Sequence, residues 1–189
     1  MGNELAASRG LAPLIGHGPG LYLALGPAVL PAWFLTRLCP ALAGGARVFW
    51  VDATNSFAAY AAGRAARSLG IPPRTVLDRI RLSRPFNSHQ LTTLLTRTLP
   101  PLWRGEPVVV SDPFPMLFDE EVPQREARRA LDAILNAVAA LPGVWLLLAV
   151  HREAPRGREG WLAELAGRAR RVAVLNPRGP DWRLEREPA

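Results

Sequence analysis

Short apolar runs alternate with longer amphipathic segments along most of the chain. Val144–Val150 reads VWLLLAV, a continuous apolar run that is typical of a strand covered on both faces. Gln124–Leu141 carries apolar residues at helical spacing and ends before Gly143. The same two patterns predict strands at Leu21–Leu25, Arg47–Val51, Arg79–Ser83, Pro107–Ser111, Val144–Val150, Arg171–Leu175 and Trp182–Glu187, and helices at Ala32–Leu42, Ser56–Leu69, Ser88–Leu99, Gln124–Leu141 and Trp161–Arg168.

This alternation predicts an α/β fold in which a mostly parallel central sheet is flanked by helices. The last two strands are separated only by the turn Asn176–Asp181, and we expect them to form an antiparallel pair. A chain of 189 residues fits one domain, 1–189, with residues 1–10 and 186–189 as flexible tails.

Four residues with chemical or conformational interest each follow a predicted strand: Gly26, Asp52, Asp112 and His151. In open parallel sheets, ligands bind at the carboxyl ends of the strands. We therefore expect these residues along one edge of the sheet.

Composition narrows the possible chemistry. The 23 basic residues are all arginine, so every mechanism that requires a lysine is excluded. The single Cys39 excludes an internal disulfide, and His17, His89 and His151 lack zinc-type spacing, so no metal site is predicted. A net charge of +7 favours polyanionic partners such as nucleic acid.

The segment Leu11–Thr36 has no charged residue, which raises the possibility of a membrane segment. Prolines and glycines interrupt it repeatedly, whereas a spanning helix needs about 20 mostly apolar residues in a continuous run. We therefore predict a cytoplasmic protein that does not bind a membrane, and a tether at this segment stays the weakest alternative.

The middle of the chain, Val48–Leu95, resembles the ATPase core of the RecA/RadA-type recombinases. A strand ending in an Asp, a helix ending at a Gly, and a second strand leading into an Arg-aromatic-Asn-His-Gln stretch follow one another in the family's order. Val108–Phe118 (VVVSDPFPMLF) is similar to the family's Walker B strand. The matching residues of the middle segment are Val51, Asp52, Phe57, Arg64, Leu69, Gly70, Val76, Leu77, Ile80, Arg84, Phe86, Asn87, His89 and Gln90.

The resemblance implies a RecA-like P-loop-type fold, but the Walker A motif is degenerate. A phosphate loop needs Gly, four residues, then Gly-Lys-Ser/Thr, and from Gly26 this chain reads GPAVLPAW. Ala32 stands at the lysine position and Trp33 at the hydroxyl position. In the family, a Glu that activates the attacking water lies in the turn after the strand that ends in Asp. The matching residue here, two positions after Asp52, is Thr54, which cannot act as a carboxylate base.

Asp112 is then a remnant of the Walker B metal ligand. We predict a vestigial nucleotide site formed by Gly26, Ala32, Trp33, Thr54 and Asp112, with no ATP hydrolysis, no catalytic residue and no cofactor.

The resemblance also places a DNA-binding loop after the strand Val144–Val150. The corresponding segment, His151–Gly160, carries Arg152, Arg156 and Arg158, and long arginines on a loop suit phosphate contacts without sequence preference. Two glutamates within the segment dilute its charge, so a simply solvated loop is the alternative.

The function implied is an ATPase-deficient RecA-like accessory protein in DNA recombination or repair, which binds single-stranded or duplex DNA, a recombinase, or both. The chain shows no counterpart of the recombinases' amino-terminal DNA-binding domain and polymerisation linker, so long filaments are not expected. The alternatives are a pseudo-ATPase that docks on an active RecA-like ATPase without touching DNA, and an enzyme with an unconventional nucleotide site.

Overall fold

The computed structural model describes residues 18–175 and the backbone of residues 182–186. Seven strands form one sheet: β1 Gly20–Gly26, β2 Val48–Asp52, β3 Ile80–Ser83, β4 Val108–Ser111, β5 Val144–Val150, β6 Arg171–Leu175 and β7 Trp182–Arg186. The helices are α1 Leu30–Ala43, α2 Ala59–Ser68, α3 Pro73–Leu77, α4 Ser88–Thr93, α5 Leu99–Leu102, α6 Phe114–Leu117, α7 Gln124–Ala140 and α8 Trp161–Arg168, with a π-helical turn at Leu94–Thr98.

The strand order is β3-β2-β4-β5-β1-β6-β7, and the pairings among the first six strands are all parallel. The predicted α/β architecture with a mostly parallel sheet is thus confirmed. At one edge, β7 runs antiparallel to β6. Arg186, where a tail was predicted to begin, is the last residue of β7; residues 1–10, 187–189 and the predicted turn 176–181 lie outside the described residues.

Both faces of the sheet are covered, as the apolar strands require. Leu21 and Leu23 of β1 face a core cluster that includes the buried side of α7, whereas Tyr22 and Ala24 face a second cluster that includes α1. β1 lies between β5 and β6. The uncharged stretch of the sequence before Thr36 therefore supplies, in its described part, a buried central strand and the start of a helix.

Helix α2 begins at Ala59, three residues later than the sequence pattern predicts. The carboxylate of Asp52 accepts hydrogen bonds from the backbone N–H groups of Ser56 (2.9 Å) and Phe57 (3.0 Å), so these residues form a turn instead of a first helical turn. A contact between side chain and backbone has overridden local helix propensity.

The helix predicted over Ser88–Leu99 continues to Leu102 through the π-helical turn. Pro100 and Pro101 have no N–H to donate to the preceding turn. Leu99 donates to the carbonyl of Leu94, five residues back, which widens the helix at this point. The short helices α3 and α6 were not predicted, because five and four residues carry too little periodicity to be seen.

Candidate functional site

The carboxyl ends of the parallel strands bring most of the predicted site residues to one edge. The N–H of His151 donates to the carbonyl of Gly26 (2.9 Å), and the N–H of Asp112 donates to that of Leu148 (2.8 Å). Asp52 pairs with Ser111 in the register of β2 and β4. The ends of β1, β2, β4 and β5 thus form one continuous rim, where a nucleotide would bind in a P-loop-type fold.

The connection from β1 to α1 is only three residues long, 27–29. Leu30 already donates its N–H to the carbonyl of Pro27 (2.8 Å), and Trp33 donates to that of Val29 (2.9 Å). Pro27 and Pro31 have no N–H at all. A phosphate loop holds its ligand with a ring of free backbone N–H groups, and Pro27, Leu30, Pro31 and Trp33 supply none of these donors.

The space beside Gly26 is also filled. A Cβ atom at this position would lie 3.1 Å from the Cβ of Leu175 and 3.5 Å from that of Leu30, and both leucines are buried. Ala32 and Trp33 lie half-buried on α1, and the guanidinium of Arg37 lies 5.2 Å from the centre of the Trp33 ring. These residues do not fit a magnesium nucleotide, because neither Ala32 nor Trp33 carries a cation for phosphate or a hydroxyl for magnesium.

Asp112 lies directly after β4 and is 3% exposed. Its φ of +44° is in the left-handed region, which Asp tolerates better than most residues. One carboxylate oxygen accepts from the N–H of Val150 (3.3 Å), and the other accepts from the guanidinium of Arg152. Burial raises the pKa of Asp112 to about 6, an effect that Arg152 only partly offsets. An arginine of the same chain therefore faces the carboxylate that would hold a metal in an ATPase.

Asp52 is fully buried and is likewise committed to the protein. Besides the N–H groups of the turn that follows it, its carboxylate pairs with the guanidinium of Arg84 (3.3 Å). Thr54 lies half-buried in this turn, and its hydroxyl is hydrogen-bonded to that of Ser56 (2.7 Å). The turn thus presents no carboxylate at the position where the recombinases have their catalytic Glu.

The three arginines of the predicted DNA-binding loop have three different environments. Arg152 pairs with Asp112, and Arg156 is exposed. Arg158 is 5% exposed, and its guanidinium donates to three carbonyls at the end of α6 and in the segment after it: those of Leu117 (2.6 Å), Asp119 (2.8 Å) and Val122 (2.6 Å). Arg158 is therefore held in the interior of the fold, and the three arginines predicted to bind DNA do not share one exposed surface.

The two ion pairs at this edge, Arg84 with Asp52 and Arg152 with Asp112, were not predicted from the sequence. Arg84 follows β3 and Asp52 ends β2, so their pairing could have been predicted from the expectation that neighbouring strands end together. No local signal links Arg152 to Asp112, which is forty residues away. Their contact depends on β4 and β5 being neighbours.

The described part of the chain has neither a cluster of metal ligands nor a membrane-spanning helix. Across residues 18–175, no three His, Cys, Asp or Glu side chains lie close enough together to hold a metal ion. The described helices are all too short or too polar to cross a bilayer.

Comparisons with known proteins give a result for the fold only. No family model matches the sequence, and no curated protein matches it. Among solved structures, the chain is similar to a crystal structure of the RadB recombinase, with 19% sequence identity and a TM-score of 0.64 over 96% of this chain and 89% of the other. The sheet order, the flanking helices and this similarity together show that the chain has the fold of the RecA-like recombinases.

Proposed function

We propose that this protein is an ATPase-deficient RecA-like accessory protein of DNA recombination or repair, which binds DNA, a recombinase partner, or both. The observation that carries the proposal is the closed turn between β1 and α1, within a fold shared with a recombinase. Gly26 packs against Leu30 and Leu175, and the turn supplies neither the lysine nor the hydroxyl of a phosphate loop.

Three separate positions support the loss of ATPase activity, because each lacks a group that an ATPase needs. The turn offers no lysine and few free N–H groups, Thr54 replaces a carboxylate, and Asp112 is neutralised by Arg152. Phosphoryl transfer depends almost entirely on positioning and on charge stabilisation by such groups. The excess of arginine supports a polyanionic partner, because it leaves the chain at +7.

The test combines hydrolysis with DNA binding. We expect no phosphate release from ATP above the buffer blank, with or without DNA, and DNA affinity that is the same with and without magnesium ATP. A purified RecA-like ATPase assayed in parallel serves as the positive control. Phosphate release that follows protein concentration, or DNA affinity that ATP changes tenfold, would contradict the proposal.

A pseudo-ATPase that docks on an active RecA-like ATPase is the second candidate. β3 is the edge strand of the sheet, so one side of it has no strand partner among the described residues. Leu82 (37% exposed), Phe86 (74%) and Leu102 (47%) lie on or near it. Exposed apolar residues beside an open strand edge favour a protein partner that adds its own backbone there.

This candidate is tested by capture of a purified RecA-like ATPase on the immobilised protein without DNA. We expect Leu82→Lys to abolish capture if the β3 edge is the docking surface, because charge on an edge strand opposes pairing. Val29→Lys is the matched control, since Val29 is exposed (61%) and lies before α1. Equal capture by both variants, or none by the wild type, would count against it.

A further inference from the structure

The amino ends of the strands carry a row of arginines. Arg47 and Arg79 immediately precede β2 and β3, Arg104 lies in the segment before β4, and Arg170 immediately precedes β6. Arg47, Arg104 and Arg170 are exposed, and Arg79 is half-exposed. We call these four residues the amino-edge arginines. They lie at the end of the sheet opposite to the closed nucleotide site.

Backbone contacts show that these strand starts form one continuous edge. The N–H of Val48 donates to the carbonyl of Arg79 (3.1 Å), and that of Phe49 donates to Pro107 (2.9 Å). Further along the same edge, between β6 and β1, the N–H of Arg170 donates to the carbonyl of Leu21 (2.7 Å). Neighbouring strands are about 4.8 Å apart, so the row from β3 to β6 is about 24 Å long.

The amino edge has little counter-charge. In the described segments that lead into the six parallel strands, the acidic residues are Asp78 and Glu106. Asp78 pairs with Arg74 (3.2 Å). Glu106 is 3% exposed, accepts the N–H of Arg104 (2.6 Å) and pairs with Arg81 (3.5 Å). Most other described acidic residues lie after the strands, at or near the carboxyl edge: Asp52, Asp112, Asp119, Glu120, Glu121, Glu126, Glu153 and Glu159.

We infer that the amino-edge arginines form a binding surface for the phosphate backbone of nucleic acid. The inference rests on the proposed function and assigns its DNA binding to this surface instead of to the loop after β5. A row of about 24 Å spans about seven phosphates of one strand of a duplex, which rise about 3.4 Å each along the axis. Guanidinium groups suit such phosphates because they bind them through two parallel hydrogen bonds.

The surroundings of the row indicate contact with the backbone and not with bases. The exposed aromatic side chains of the described part, Tyr60 and Phe86, both follow the carboxyl end of a strand and so lie away from this edge. Binding of single strands depends on aromatic platforms for stacking. We therefore expect duplex DNA to bind at least as tightly as single-stranded DNA, without sequence preference.

The experiment is fluorescence anisotropy of a labelled duplex with the full chain over a salt series. Four phosphate contacts predict a slope of about −3.6 in log affinity against log salt, which is a loss of about 150-fold between about 50 and 200 mM. The variant with Arg47, Arg79, Arg104 and Arg170 all replaced by Gln should lose nearly all of this slope.

The matched control replaces Arg64, Arg125, Arg129 and Arg156 by Gln. These four are exposed and lie away from the amino-edge row, and their loss lowers the net charge from +7 to +3 (7 − 4), as in the test variant. It should keep most of the slope. The double variant R47Q/R170Q removes two side chains with smaller risk to folding; it should bind at least tenfold more weakly and lose about 1.8 of the slope.

The outcomes separate the surface from the function. If the wild type binds and the control variant loses affinity while the amino-edge variants keep it, the surface is wrong and the proposed DNA accessory role stands. If the wild type binds no DNA at low salt, the inference fails together with the DNA arm of that role. If the amino-edge variants keep DNA binding and lose only binding to anionic vesicles, the row binds a membrane and the inference is overturned. It is also overturned if these variants keep DNA binding and lose only thermal stability, because the arginines then stabilise the fold.

Discussion

Replacing Arg158 by Ala separates a structural from a DNA-binding role for the loop after β5. The guanidinium donates three hydrogen bonds of 2.6 to 2.8 Å to the carbonyls of Leu117, Asp119 and Val122. It also lies 5.5 Å from the centre of the Trp161 ring. One side chain thus holds the segment after α6 against the start of α8.

The cost of the substitution can be worked from these contacts. A hydrogen bond from a charged donor contributes about 1.5 to 3 kcal/mol, and three would give up to about 9 kcal/mol if all the acceptors stayed dry. Asp119 is exposed, so water will reach part of the segment once the side chain is gone. We expect a loss of about 3 kcal/mol, which lowers Tm by about 6 to 12 °C in a domain of this size.

The assay is urea denaturation of Arg158→Ala beside Arg156→Ala. Arg156 is exposed in the same loop, so its truncation should change the free energy of unfolding by less than about 0.5 kcal/mol. DNA affinity should be unchanged by Arg158→Ala at temperatures where the variant is folded. A variant of wild-type stability that binds DNA tenfold more weakly would refute the structural role.

Three other substitutions test the carboxyl edge. Because burial raises the pKa of Asp112 to about 6 from 3.8, the folded state binds this proton more tightly. As pH rises from about 4 to about 7, wild-type stability should therefore fall by about 2 kcal/mol relative to Asp112→Asn, and a stability difference between the two proteins that is the same at both pH values would disprove the shift. Gly26→Ala should lower the free energy of unfolding by about 1 to 3 kcal/mol, because its Cβ would crowd Leu175; an unchanged denaturation midpoint would show that the turn is loosely packed. Asp52→Asn should lower the free energy of unfolding by about 2 kcal/mol, because it weakens the hydrogen bonds from the N–H groups of Ser56 and Phe57. Amide hydrogen exchange at these two residues should be faster in the variant, and unchanged exchange would count against this role of Asp52.

The sheet could be predicted from the sequence because its signal is local and repeated. Val144–Val150 has a pattern typical of a strand covered on both faces, and it is the nearly fully buried strand β5. Helix α7 likewise ends at Ala140, one residue before its predicted end, since Pro142 and Gly143 mark the boundary. Periodicity and terminators suffice for elements of this length.

The site could be predicted only in part. The placement of Gly26 and Asp112 at one edge follows from strand order alone. The contact between Asp112 and Arg152 does not, because it also requires that β4 and β5 be neighbours in the sheet. Arg158 shows the opposite case: glycine and acidic neighbours suggested exposure, but carbonyls about forty residues earlier bury its guanidinium. Such carbonyls carry no side-chain signature in a sequence.

Equilibrium dialysis of the full chain against magnesium ATP tests the central claim, that the RecA-like fold is kept while its nucleotide site is closed. We predict no saturable binding up to millimolar ATP and no change in Tm, whereas a ligand at 100 times its Kd would stabilise the folded state by about 2.7 kcal/mol. Saturable, magnesium-dependent binding that Gly26→Ala weakens would contradict the closed turn and with it the proposed loss of ATPase function.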